Sequence, residues 1–108
     1  MPARVSADNF ESEVLESQIP VLVDFYSDSC VPCKKIAPVL SKLETEYAEK
    51  VKIVKINTNF DTEITEKYGI EATPTLVLLN KGDEVSRLKG AVSRDDIVSL
   101  IDNIKEQI

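Results

Sequence analysis

The chain has 108 residues, 43% hydrophobic and 30% charged, a balance that excludes a disordered class and fits one domain over residues 1–108. Its 13 Lys and Arg stand against 19 Asp and Glu, and the formal net charge of −6 argues against a nucleic-acid phosphate backbone and an anionic membrane surface as partners. With no histidine and two cysteines, Ser-His and Cys-His dyads and His-ligated metals are ruled out.

The opening stretch MPARVSADNF has no apolar core of a secretory signal, and no apolar run approaches the roughly 18 residues of a membrane span, so a cytoplasmic protein is expected. A small leading strand is expected near Val5. Phe10, Val14 and Leu15 predict a short amphipathic helix near residues 7–18. Pro20 to Ser27, PVLVDFYS, reads as a buried strand, and Ser27 to Ser29 as a polar turn. A helix from Pro32 to Lys50 follows, with Ile36, Leu40, Leu43 and Tyr47 on its apolar stripe and a kink expected at Pro38. Val51 to Asn57 is a second strand, and Asp61 to Tyr68 a short helix closed by Gly69. Thr75 to Asn80 is a strand buried on both faces. Asn80 to Asp83 turns it into a further strand, Glu84 to Lys89. Ser93 caps a last helix whose apolar face is Ile97, Leu100, Ile101, Ile104 and Ile108. The order βαβαββα predicts an α/β fold: crossover helices make the early strands parallel, and the hairpin adds an antiparallel edge.

Cys30-Val31-Pro32-Cys33 stands where a strand gives way to a helix. A thiolate on Cys30 would meet the unpaired N–H groups and positive end of that helix, which favour the anion and lower its pKa. Pro32 suits the first helical turn, where its missing N–H is no loss. Attack by Cys30 and resolution by Cys33 follow from that arrangement. A structural disulfide and a half-site for metal compete with this reading. The first would contribute only about 2 kcal/mol for so short a loop. The second leaves zinc short of its usual ligands unless carboxylates or a second subunit help.

Asp24 interrupts the apolar run VLVDFY. It is either an outward-facing acid or a desolvated carboxyl with a raised pKa, fit to accept a proton near neutral pH. Lys55, inside KIVKIN, is a solvated strand end or the partner of Asp24. Pro74, between Thr73 and Thr75, marks a strand entrance, with a trans or a cis bond before it. Gly90 ends the last strand or leaves room for a partner backbone.

Taken in order, VDFY (23–26), CVPCK (30–34), IAP (36–38), VKIN (54–57), ATPT (72–75), KG (81–82) and LKGA (88–91) resemble the thioredoxin family over nearly the whole chain. The resemblance implies a thioredoxin fold, a central mixed β-sheet flanked by helices. It implies Cys30 as the exposed nucleophile, Cys33 as the buried resolving thiol, Asp24 as the acid beneath Cys33, and Lys55 as its charged neighbour. It also implies a cis Pro74, a Thr73 backbone that binds an extended client, and open space at Gly90, with Val31 and Pro32 facing the client. The sequence departs from the family at Ser29 and Tyr26, where tryptophan is usual, at Val31, where glycine is common, and at Thr73, where an aliphatic residue is common. Ser29 removes apolar contact area beside Cys30, and β-branched Val31 stiffens the loop, which alters the balance of dithiol and disulfide.

The expected function is a cytosolic protein-disulfide reductase. It needs no cofactor or metal beyond the Cys30–Cys33 pair, works as a monomer, and is recycled by a thioredoxin reductase or equivalent donor. No histidine lies between the cysteines, as it does in more oxidising isomerase-like relatives. The alternatives are a binding or stabilising subunit of the same fold that does not use its thiols, and a metal site bridging two subunits.

Overall fold

The computed structural model describes residues 1–90 and 92–104. Five strands form one mixed sheet: β1 (Ala3–Arg4), β2 (Val21–Tyr26), β3 (Lys52–Asn57), β4 (Thr75–Asn80) and β5 (Asp83–Lys89), in the spatial order β1-β3-β2-β4-β5. β1 and β2 run parallel to β3, β4 runs antiparallel to β2, and β5 antiparallel to β4. The helices are α1 (Val31–Glu46), α2 (Thr62–Lys67) and α3 (Arg94–Asp102).

Strand alternation divides the interior in two. Val21, Val23, Phe25, Val54, Ile56, Val77 and Leu79 face one side, where Phe10, Val14 and Ile64 cover them. Leu22, Ile53, Leu76 and Leu78 face the other, beneath Ile36, Leu40 and Leu43 of α1 and Ile97, Leu100 and Ile101 of α3. The near-continuous apolar runs of β2 and β4 follow from helices covering both faces. Each fully buried large apolar side chain contributes about 1.5–3 kcal/mol.

The predicted helix over 7–18 contracts to a π-helical segment, Glu11–Leu15, in which the Glu16 N–H bonds the Glu11 carbonyl at 2.9 Å. Two local turns compete with it. The Ser6 N–H donates to Asn9 Oδ1 at 2.8 Å, and Ser17 Oγ donates to the Ile19 carbonyl at 2.8 Å. The helix predicted to reach Lys50 ends at Glu46, because the Tyr47 carbonyl accepts from both Lys50 and Val51 and turns the chain into β3. That turn buries Val51. α1 runs on through Pro38, whose ring leaves the Lys34 carbonyl without its usual donor. Lys81 and Gly82, with φ of 51° and 90°, make the tight β4–β5 turn. Ser93 caps α3 as expected, and Asp96 returns the bond to the Ser93 N–H. Ile108, predicted to extend the apolar face of α3, lies outside the described residues.

Candidate active site

The site forms where β2 leaves the sheet. After Tyr26 the chain turns through Ser27–Ser29 and enters α1 with Cys30 as its N-cap residue. Cys30 and Cys33 are joined by a disulfide, with their Cα atoms 5.2 Å apart. Cys30 Sγ accepts the Cys33 N–H at 3.1 Å, so the sulfur occupies the place of a capping oxygen at the positive end of α1. Val31 and Pro32 form the first turn, where proline leaves no donor missing.

Accessibility differs from the resemblance-based expectation of an exposed Cys30. In the disulfide form Cys30 is 8% exposed and Cys33 is 5% exposed, so the order holds but the contrast is small. The exposed residue of the motif is Val31, at 59%.

Asp24 is buried on the α1 side of the sheet, opposite Lys55 on β3 and Leu76 on β4. Among the described residues its Oδ1 has no hydrogen-bond partner. Burial pushes the carboxyl up from 3.8 to about 7, and the charge of Lys55 opposes that rise. The outward-facing reading of Asp24 is thus set aside. Lys55 acts on it through space: its Nζ stands 5.6 Å from the centre of the Tyr26 ring, and among the described residues Asp24 has no contact ion pair. Asp24 and Cys33 both line a pocket of about 270 Å³, together with Tyr26, Ser27, Asp28 and Lys55.

The Thr73–Pro74 peptide is cis. The Pro74 carbonyl accepts the Gly90 N–H at 2.9 Å, so the start of β4 and the end of β5 meet there. Gly90 has a φ of +80°, and among the described residues a Cβ added to it would meet nothing within 4 Å. Backbone conformation, not crowding, accounts for glycine at this position.

Sequence reasoning missed the polar ties that hold the turn before Cys30. Asn57 Nδ2 donates to Asp28 Oδ1 at 2.9 Å, the Asp28 N–H donates to Asn59 Oδ1 at 3.0 Å, and the Asn59 N–H donates to Asn57 Oδ1 at 2.8 Å. Ser27 and Thr73 join their hydroxyls at 2.9 Å. The only signal in the sequence was Asn57 closing an apolar strand, where it proves 2% exposed. Among the described residues no group of three or more His, Cys, Asp or Glu is placed to hold a metal ion, and no helix is long and apolar enough to cross a membrane.

The comparisons agree with this geometry. The thioredoxin family model matches residues 1–103. The chain is 40% identical over 100 residues to thioredoxin 1 of Synechococcus elongatus, covering 93% of this chain and 94% of that one. It is 43% identical over 95 residues to thioredoxin C-2 of Corynebacterium nephridii, covering 88% of each. To the M-type chloroplastic thioredoxin of Chlamydomonas reinhardtii it is 40% identical over 98 residues, covering 91% of this chain and 70% of that one. A disulfide capping the first long helix, a buried acid that lines the same pocket as Cys33, a cis-proline at the entrance to β4 and these similarities lead to one conclusion: the chain belongs to the thioredoxin family and is a thiol–disulfide oxidoreductase.

Proposed function

We propose that the chain is a general or specialised protein-disulfide reductase of the cytoplasm, working as a monomer on the Cys30/Cys33 dithiol. One observation supports this reading above the others: Cys33 shares a pocket with a buried carboxyl whose pKa, about 7, suits proton exchange at neutral pH. The Cys30 thiolate attacks a client disulfide, forming one S–S bond and releasing the first client sulfur as a thiolate, which takes a proton from water. Ionised Asp24 accepts the Cys33 proton, with Lys55 favouring the charged carboxylate. The Cys33 thiolate then attacks Cys30 Sγ and expels the second client sulfur, which is protonated in turn. Two electrons have passed to the client, and the Cys30–Cys33 disulfide is restored. A thioredoxin reductase or an equivalent donor returns those electrons, and no cofactor is needed in this chain. Val31, Pro32, Thr73, Pro74 and Gly90 form the surface on which an extended client lies, with the Thr73 backbone bonding to it.

The test is a trap. Cys33→Ser keeps the attack and removes the resolution, so it accumulates mixed disulfides with client proteins that dithiothreitol releases. The Cys30→Ser, Cys33→Ser double variant captures none. Partners held equally by both variants and without regard to reductant would identify a binding or stabilising subunit instead.

A further inference from the structure

A second recess shares Ser27 with the pocket of Asp24 and Cys33. It holds about 390 Å³ and is lined by the hydroxyl residues Ser27, Thr58, Thr65 and Thr73, by Glu71, and by the apolar Ile70 and Ala72. Where the hydroxyl protons point decides what this wall offers. Each hydroxyl has one proton to donate and lone pairs to accept. Thr58 directs its proton to the Tyr26 carbonyl at 3.1 Å, and Thr65 to the Asp61 carbonyl at 2.8 Å. Ser27 and Thr73 place one proton between their own oxygens. Three of the four hydroxyl protons are therefore engaged within the protein, while the lone pairs of Thr58 and Thr65 are left to accept. Glu71, an exposed acid, lines the recess as well, on a chain whose net charge is −6.

We infer that this recess is a client subsite for a donor-rich cationic side chain, arginine or lysine, next to the disulfide being reduced. The inference rests on the reductase reading and names the class of client it serves. A client segment bonded to the Thr73 backbone carries its flanking side chain past the Thr73 hydroxyl and over the recess. An arginine there finds several acceptors and a carboxylate. A leucine strips water from those oxygens without replacing its bonds, and a glutamate adds like charge beside Glu71. Thr58 and Thr65 thus act in specificity by presenting lone pairs.

The experiment compares disulfide peptides of equal net charge. Each carries a single arginine, placed at one of the two positions on either side of a disulfide cysteine or moved at least four residues away. The remote arginine controls for long-range attraction to an acidic protein. Rates of reduction by the dithiol form are followed by acid quench and mass analysis, with hydroxyethyl disulfide reporting the exchange reaction itself. At one adjacent position arginine should raise the second-order rate about tenfold over the remote peptide, as charge-assisted hydrogen bonds allow. Glu71→Gln and Thr58→Val should each reduce that preference to about threefold or less. Glu71 is exposed and valine matches threonine in shape, so both variants keep the fold. Equal rates for adjacent and remote arginine, or a preference intact in both variants, overturn the subsite. Failure of the unaltered protein to reduce hydroxyethyl disulfide overturns the reductase reading first, and the subsite with it.

Discussion

Replacing Asp24 by asparagine tests the buried acid through stability as well as turnover. The folded-state carboxyl sits at about 7, against 3.8 for a solvated one. A carboxyl with a raised pKa holds its proton more tightly when folded, so its contribution is fully favourable below about pH 4. It is lost as pH rises, because the unfolded chain ionises first. The loss is complete once the pH passes about 7. At about 1.4 kcal/mol for each pH unit between the two values, it amounts to about 4 kcal/mol. Asparagine resembles the protonated acid in shape but does not ionise. Its amide brings one unmatched donor, which offsets the whole curve by about 1–3 kcal/mol without changing its slope. The measurement is urea unfolding of oxidised Asp24→Asn and the unaltered protein from pH 4 to pH 8.5. The variant should gain about 4 kcal/mol relative to the unaltered protein across that window, mostly between pH 4 and pH 7. Two parallel stability curves would refute the raised pKa and remove Asp24 as the proton acceptor for Cys33. On the role proposed for Asp24, the same variant should also reduce disulfides more slowly near neutral pH.

Three further substitutions probe the frame. Asn57→Ala deletes the donor to Asp28 and leaves the Asn59 N–H without its acceptor; a loss of about 1–3 kcal/mol is expected in urea unfolding. Gly90→Ala meets no atom of the described residues, yet its φ of +80° should cost about 1–2 kcal/mol; unchanged stability would show that the backbone relaxes there. Ser93→Ala removes the hydroxyl that accepts the Asp96 N–H at 3.1 Å, and the thermal midpoint should fall by about 4 °C for a loss near 1 kcal/mol.

The fold was legible where one physical requirement dominated. β-Branched runs buried on both faces marked β2, β3 and β4, and the apolar stripes marked α1 and α3. The β4–β5 turn showed itself in the polar stretch Asn80-Lys81-Gly82-Asp83 between two strand patterns, where Gly82 takes its φ of 90° without strain. Asp24 was legible because a charge in the middle of VLVDFY demands an explanation. Helix ends were not. Residues 47–50 would extend a helix on their own preference, and the burial of Val51 with the double acceptance at Tyr47 overrides it. Nor could the sequence reveal that β4 lies antiparallel beside β2, since that depends on how the segment after α2 returns to the sheet. The ties among Ser27, Asp28, Asn57, Asn59 and Thr73 were hidden for a related reason. They join loops about 30 to 46 residues apart, and polar loop residues carry no period to read.

Those ties bear on what happens between turnovers. They hold the turn before Cys30 through oxygen and nitrogen atoms, with no help from sulfur. Folding and disulfide closure form a thermodynamic square whose opposite sides must differ by the same free energy. In the unfolded chain the two cysteines must first be gathered into a short ring, at a cost in chain entropy. In the folded chain the anchored turn and the start of α1 already hold them in place. Folding therefore favours closure, and by the same amount closure favours the folded chain. Each reduced client leaves the protein in the form more resistant to unfolding. The donor that reopens the ring works against that difference, so the waiting dithiol is the form most open to proteolysis and heat.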